Sequence, residues 1–335
     1  MKTFIVAEIS ANHNNDYDTT VKLIMEAKRA GADAVKLQTY TPDTITIKSD
    51  RPEFKIVGGL WDGKTLYELY KEAYMRWEWQ PNLKTICDSI GIELFSTPFD
   101  KTAVDFLESI GVKRYKIASF ELVDIPLIKY VASKKKPIII STGMADEDEI
   151  QLAIDACNEE KNGYVTLLKC VSNYPAKTED MNLIGIRYLK DYFEIPTGLS
   201  DHTLSLDIPM LAVGLGATVI EKHITLSRKI DTPDKSFSLE PDEFKQMVDK
   251  IRLVEQALGD YGIKITPEEK HNKMFRRSIY VVEDIKQGSY FSEQNIRSIR
   301  PANGIEPKYY ELIIGRKATV DIKKGTPLSW NLIAK

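Results

Sequence analysis

The feature of this chain that most restricts its fold is a short apolar run that recurs eight times. Each copy is followed by polar residues and then a helical pattern. The runs are Phe4–Ile9, Ala34–Thr39, Ile92–Thr97, Tyr115–Ser119, Pro137–Thr142, Val165–Cys170, Ile195–Ser200 and Thr218–His223. They are continuous rather than alternating and rich in Ile, Val and Leu, the texture of parallel strands covered on both faces. Between the first two, Val21, Ile24, Met25 and Lys28 follow a helical spacing that Gly31 closes. After the eighth run, Phe244, Met247, Val248, Ile251 and Leu258 mark one face of a helix, with Pro241 in its first turn. Eight β–α units in about 260 residues match the size of a closed (β/α)8 barrel of the α/β class. The rival is an open doubly wound sheet, but no Gly-rich dinucleotide fingerprint follows any run. A long insertion after the second run, residues 41–75, contains Gly58-Gly59-Leu60-Trp61-Asp62-Gly63. Loops of that length usually bind something or act as a lid.

The texture changes near residue 260. The barrel is expected over residues 1–260, a polar linker over 261–274 and a small β domain over 275–335. That last segment repeats itself: Asp284-Ile285-Lys286-Gln287-Gly288 is echoed by Asp321-Ile322-Lys323-Lys324-Gly325, which predicts a pseudo-twofold. So small a β domain has little core of its own and is expected to pack on the barrel or on a second subunit.

Composition narrows the class. Of 335 residues, 43% are hydrophobic and 28% charged, and the net charge is −3. This is globular, with no broad basic footprint for nucleic acid or an acidic membrane. Cys87, Cys157 and Cys170 are odd in number and widely spaced. They read as small buried hydrophobes rather than a disulfide frame or zinc cluster. The apolar start, Phe4 to Ala7, is too short for a signal peptide, and Ile208 to Ile220 is too short and Gly-broken to cross a bilayer. A cytoplasmic location follows as the default.

A barrel gathers the C-terminal ends of its strands on one face, where its chemistry sits. Those ends here carry Glu8, Asn12 and His13; Lys36 and Gln38; Ser96 and Thr97; Lys116, Ser119 and Glu121; Ser141; Ser172 and Tyr174; Ser200, Asp201 and His202; and Glu221, Lys222 and His223. Lys36 and Lys116 lie in otherwise apolar runs, where an unpaired ammonium is costly. They either point inward as a pocket for phosphate and carboxylate, beside Ser119, Ser141 and Ser200, or point outward as salt bridges between helices. His202 and His223 end consecutive runs, within reach of one divalent metal with coordination positions left open. His13 contacts substrate or caps its loop, and His271 falls in the linker. Glu8, Glu121, Asp201 and Asp234 are carboxylates that could orient substrate or move protons, and spacing does not choose among them.

At these residues the chain resembles the sialic acid synthase (NeuB-like) family. Its members condense phosphoenolpyruvate with an amino-sugar aldehyde to give a nine-carbon 2-keto acid. The matching stretches are Ala7 to His13, Val35 to Thr39, Tyr115 to Glu121, Ser141 to Met144, Gly198 to Thr203 and Glu221 to His223. The tail resembles the family's antifreeze-like SAF (β-clip) domain, including Arg300-Pro301-Ala302-Asn303-Gly304. Gly58 to Tyr70 and Trp77-Glu78-Trp79 look like the pseudaminic acid synthase branch. Asp231 to Leu239 stands where members using N-acetylmannosamine usually have Pro-Gly-Pro-Asp, which favours a 2,4-diacetamido-2,4,6-trideoxy-altrose acceptor.

The resemblance implies the following roles. His202 and His223 hold a divalent metal, manganese in the family, with magnesium or cobalt as alternatives. Lys36, Lys116, Ser119, Ser141 and Ser200 bind phosphoenolpyruvate. Ser172 stands where some members have Asn. Glu8, Gln38, Tyr174 and Asp234 face the sugar, and Glu121 transfers a proton. Arg300 reaches the sugar from the tail of a partner in a domain-swapped homodimer. N-acetylneuraminate or legionaminate synthesis, another metal-dependent barrel activity such as sugar isomerisation, and a non-catalytic carbohydrate-binding role are the alternatives carried forward.

Overall fold

The computed structural model describes residues 2–334 and divides the chain into two compact units, parting between Gly259 and Asp260. In the first, eight parallel strands close in sequence order: β1 (Phe4–Glu8), β2 (Ala34–Thr39), β3 (Glu93–Pro98), β4 (Tyr115–Ile117), β5 (Ile138–Ser141), β6 (Val165–Cys170), β7 (Thr197–Asp201) and β8 (Val219–His223). The ring is sealed where β1 pairs β8, from Phe4↔Val219 to Glu8↔His223. Each strand lies within one or two residues of its apolar run. At β4 the chain leaves the strand early, and Ser119–Glu121 turns into a 3₁₀ helix, so those residues stand on a turn above the strand.

The period of two sorts the side chains. Outward residues such as Ile5, Ala7, Val35, Leu37, Ile117 and Ile140 pack against the surrounding helices. Inward, Val6, Ala34, Phe95, Ile139, Leu168 and Val219 form an apolar plug. Two residues further along each strand the inward positions turn polar. That change of layer is what creates a site at the strand ends. The plug is tight at Gly198, where a Cβ would overlap the Val219 carbonyl and sit 2.7 Å from Leu168 Cδ2.

The helices follow from their own chemistry. Asp16, Asp100, Asp124 and Asp146 accept backbone N–H groups at four helix N-termini. The helix Tyr17–Ala30 ends on Gly31 at φ 91°. Its buried stripe is Thr20, Leu23, Ile24, Ala27 and Ala30, not the expected one, since Met25 and Lys28 face solvent. Small Ala residues let this helix sit close to the barrel, which a search for bulky residues overlooks. The helix Pro241–Leu258 buries Phe244, Met247, Val248 and Ile251 as expected, while Leu258 is exposed. Among the described residues no helix is long and apolar enough to cross a membrane.

The second unit holds a short helix, Pro267–Asn272, and an antiparallel pair, β9 (Ser278–Val281) with β10 (Ile296–Ile299). Its core is Ile279, Val281, Ile285, Ile296, Ile313, Ile322 and Leu328, aliphatic apart from Phe291. The internal repeat becomes a reciprocal clasp. Ile285 and Ile322 exchange both backbone hydrogen bonds at 2.8 Å. Asp284 pairs with Lys323 and Asp321 with Lys286, each at 2.7 Å. Each aspartate also accepts a backbone N–H at 2.8 Å, from Lys324 and Gln287 respectively. These exposed pairs contribute little energy and chiefly set the register of the two halves.

Gly198 offers a direct check on barrel packing. A Gly198→Ala substitution is expected to lower stability by about 1–3 kcal/mol, the usual cost of overpacking a filled core. Urea unfolding followed by circular dichroism measures it, and an unchanged midpoint would contradict the packing described.

Candidate active site

The polar layer above the plug is built from inward positions further along the strands, two residues past the plug for Glu8, Lys36, Ser141, Cys170 and Glu221 and four past it for His223. Glu8, Lys36, Lys116, Ser141, Cys170, Ser200, Glu221 and His223 are all buried. Both lysines therefore point inward. Lys36 pairs with Glu8, stands 3.9 Å from Glu221 and donates to Thr97 Oγ1 at 3.3 Å. Lys116 donates to Ser141 Oγ at 2.7 Å and lies 3.7 Å from the same Glu221 oxygen, which also accepts from Ser200 Oγ at 3.1 Å. Glu221 is thus a counter-ion shared by both ammonium groups.

Burial opposes charge on every member of this quartet, and the outcome differs with each partner set. Burial drives Glu8 up to about 7, with Glu221 pushing the same way and Lys36 only partly offsetting it. Glu221 is held below its ordinary value because Lys116 and Lys36 outweigh its burial. Lys36 is raised, its two carboxylates overcoming burial, whereas burial lowers Lys116. With Glu8 poised near neutrality, the quartet carries excess positive charge whenever that carboxyl holds its proton. This suits an anionic ligand.

A second group closes around Gly143. Its N–H donates to Ser119 Oγ at 3.1 Å, and a Cβ there would overlap Ser172 Oγ and approach Ser119 Oγ at 2.8 Å. Only glycine lets the two hydroxyls converge on the backbone here. Glu121, on the turn after β4, has a buried Oε2 without a hydrogen-bond partner. Burial pushes its carboxyl up to about 7, with Lys116 acting the other way.

His202 and His223 approach with ring centroids 5.4 Å apart. His202 Nδ1 lies 2.8 Å from the Val171 carbonyl and so carries a proton. Burial opposes a charge on the ring, but the hydrogen bond and charge of Cys170 raise it above its ordinary value, so Nε2 is open to a cation once its own proton leaves. Burial and the surrounding cations hold His223 neutral, and its Nδ1 is buried without a partner. No group of three or more His, Cys, Asp or Glu with metal-binding spacing occurs among the described residues. Two neutral-capable imidazoles with further positions open fit the divalent cation expected from the sequence.

An aromatic wall frames the pair. Tyr174 lies 4.4 Å from His202, and Phe237 lies 4.9 Å from His223, ring centroid to centroid. Trp61, from the insertion after β2, lies 6.1 Å from Tyr174 and donates to the Pro233 carbonyl at 3.4 Å. The insertion therefore covers the β8 side of the mouth. Asp234 is buried and accepts the Ala11 N–H at 3.1 Å, while burial raises its carboxyl. Asn12 ties the same loop to β1, donating to Ser238 Oγ at 2.8 Å and accepting from Thr232 Oγ1 at 2.7 Å. Gln38 is half-buried on β2, beside Thr97 of β3. Arg300 belongs to the second unit, where it is exposed after β10.

Alternatives left open by the sequence are resolved, and the readings of Asp201 and Cys170 are corrected. The outward-facing lysine is Lys222, not Lys36 or Lys116. It is fully buried against Asp201, Nζ to Oδ2 at 2.5 Å, so Asp201 leaves the set of rim carboxylates. His13 caps its loop: Nδ1 accepts the Asn15 N–H at 3.0 Å and the ring packs edge-on against Trp79. Cys87 and Cys157 are inert buried thiols, pushed up to about 12 by burial. Cys170 differs. Burial opposes its thiolate, but His202, Ser119 and Lys116 prevail and bring it down to about 7. Glu221, placed at its strand end without a role, and Cys170, read as a small buried hydrophobe, each stand two residues past a plug position, which is the signal that assigns them to the site. Phe237 sits in an irregular loop and carried no such signal.

Comparison with known proteins agrees with this geometry. The NeuB family model matches residues 23–262 and the SAF domain model residues 276–334. The pseudaminic acid synthase of Campylobacter jejuni subsp. jejuni serotype O:2 is 47% identical over 327 residues, covering 98% of this chain and 95% of that protein. The pseudaminic acid synthase of Helicobacter pylori is 44% identical over 326 residues, covering 97% and 96%. The crystal structure of an N-acetylneuraminic acid synthetase from Leptospira borgpetersenii serovar Hardjo-bovis, in complex with citrate, matches with a TM-score of 0.73 at 32% identity, covering 81% of this chain and 90% of that one. The chain belongs to the NeuB family, with a C-terminal SAF domain.

Proposed function

We propose that this protein is a transferase that condenses phosphoenolpyruvate with 2,4-diacetamido-2,4,6-trideoxy-β-L-altropyranose and water, giving pseudaminic acid and phosphate. The observation that carries the reading is the Lys36–Glu221–Lys116 cluster, which opens beside the imidazole pair in one barrel mouth. The acceptor is assigned from the near-full-length similarity to proteins named pseudaminic acid synthases.

In this reading Lys36, Lys116, Ser119, Ser141, Ser172 and Ser200 bind phosphoenolpyruvate and offset its charge. The sugar, opened to its aldehyde, lies against Glu8, Gln38, Tyr174 and Asp234. His202 and His223 hold a divalent metal, manganese in preference to magnesium or cobalt, which supplies a Lewis acid when bound. The methylene carbon of phosphoenolpyruvate forms the new C–C bond to the aldehyde carbon. The aldehyde oxygen takes a proton from Glu121, a carboxyl that burial keeps protonated up to about pH 7. Water adds at the electron-deficient C2 and returns one proton to the Glu121 carboxylate. The C2–O bond to phosphate then breaks, the remaining hydroxyl proton leaves with the phosphate, and the keto group remains.

A domain-swapped homodimer, with Arg300 of one chain completing the sugar site of the other, belongs to the same proposal. Charge distribution supports it: residues 260–335 hold fourteen Lys and Arg against nine Asp and Glu, although the whole chain is acidic. Sedimentation is expected to find a dimer, and a fully active monomer would remove the role given to Arg300. The cytoplasm, where phosphoenolpyruvate is made, is the proposed location.

The deciding assay follows phosphate release with phosphoenolpyruvate and each acceptor in turn. The altrose derivative is expected to be preferred. Preference for N-acetylmannosamine or for the legionaminic acid precursor overturns the assignment, and turnover without phosphoenolpyruvate overturns the reaction class. His202→Ala and His223→Ala are each expected to lower turnover by at least about 100-fold, the scale of one strong transition-state stabiliser, and to weaken manganese binding measured directly.

Glu121 makes the pH dependence testable. Its raised pKa keeps the acid form present below about 7 and loses it above, so kcat should fall as pH rises through that value. Glu121→Gln should reduce kcat by about 10²–10⁴-fold, the usual contribution of general acid catalysis, and abolish that limb. A variant retaining the same limb would assign the proton to another group.

A further inference from the structure

One buried ion pair takes no part in the chemistry described above. Lys222 and Asp201 have fully buried side chains and are Cα partners in the β7–β8 ladder. Because side chains alternate along a strand, both point out of the barrel while their neighbours His202 and His223 point in. Burying an ammonium and a carboxylate is expensive, and a packed apolar pair of similar size would serve stability as well. The position needs a different reason.

The hydrogen bonds around the pair indicate one. The ladder between β7 and β8 ends at Asp201↔Lys222, so the two histidines stand one residue beyond it. There the Lys222 ammonium continues the link. It donates to Asp201 Oδ2 at 2.5 Å and also to the Thr203 carbonyl. Asp201 in turn accepts the Thr203 N–H at 2.9 Å and the Thr203 hydroxyl at 3.2 Å. The residues on both sides of His202 are thereby fastened to the residue before His223. The His202 ring has its own anchor at the Val171 carbonyl, 2.8 Å away. The His223 ring has no hydrogen bond at Nδ1, and its place is set by its backbone and by packing on Phe237. The spacing between the imidazoles therefore depends on how firmly the two strand ends are joined.

We infer that Lys222 and Asp201 are positioning residues for the His202–His223 pair: from the outer wall of the barrel they fix the separation of the two imidazoles, and with it the affinity for a divalent cation. The inference rests on the proposed metal role of those histidines. The two lysines of the phosphoenolpyruvate pocket provide the internal control, since they come from β2 and β4, which the clasp does not touch, whereas Ser200 and Glu221 flank it on β7 and β8.

The test is a titration of the full chain with Mn²⁺ alone, following free Mn²⁺ by electron paramagnetic resonance, with phosphoenolpyruvate affinity measured by calorimetry in parallel. Lys222→Met alone strands a buried carboxylate and risks unfolding. The main variant is therefore the double change Asp201→Asn with Lys222→Met, which removes both charges. If it does not fold, as judged by circular dichroism, Asp201→Asn alone is titrated in its place. The expected result is a loss of about 10–100-fold in Mn²⁺ affinity, the scale found when a group supporting a metal ligand is removed, with phosphoenolpyruvate affinity changed less than about twofold. A folded variant that binds Mn²⁺ as tightly as the parent overturns the inference while leaving the metal reading intact. Equal losses of Mn²⁺ and phosphoenolpyruvate affinity overturn it too, because they indicate general loosening. A parent protein that binds no Mn²⁺ overturns the metal reading itself, and the inference with it.

Discussion

Two ammonium groups and two carboxylates, Lys36, Lys116, Glu8 and Glu221, are held out of water in one layer of a protein barrel. Their mutual balance governs the rest of the mouth. An isolated charge there would be prohibitive, so each must face an opposite one. Glu221 meets that need for both lysines at once, at 3.9 and 3.7 Å. These distances leave it an ionic neighbour rather than a tight partner of either. Lys116 therefore remains electrostatically available to an incoming anion, and Lys36, paired directly with Glu8, becomes so when that carboxyl holds its proton, while the empty pocket avoids an unbalanced pair of cations.

The barrel makes such a cluster possible. Its plug of Val6, Ala34, Phe95, Ile139, Leu168 and Val219 excludes water from below. Parallel pairing sets Glu8 beside both Lys36 and His223, residues far apart in the chain. The anion side and the imidazole side are consequently contiguous. Glu221 faces the lysines from β8, two residues before His223. Treating the rim as two separate halves misses this link. Cys170 makes the same point from β6, since its thiol is tuned by His202 on one hand and by Ser119 and Lys116 on the other.

Much of this architecture is legible in the order of the residues. The eight strands show because buried parallel strands are uniformly apolar, and the site residues show because a polar residue in such a run needs a reason. What escapes falls into two kinds. Glu221 and Cys170 follow from the same period of two that places Lys36 and His223, once the plug positions are known. Met25 and Lys28 mislead because the first helix packs through Ala27 and Ala30, and small residues leave little hydrophobic signal. Phe237, and the reach of Trp61 to Pro233, depend on irregular loops with no period to read.

The amino-acid sequence by itself determined the barrel, the repeat in the tail and the family, because periodicity, internal echo and ordered motifs are properties of the chain alone. It also placed the two histidines at adjacent strand ends. Only the tertiary structure decided which lysines face the interior. Inward and outward positions differ by a single residue of register, and both can hold a buried lysine if a carboxylate is near. The fold put Lys36 and Lys116 inside with Glu8 and Glu221, and Lys222 outside with Asp201. Long-range pairing chose those partners, and the partner decides whether a buried charge serves the ligand or the wall.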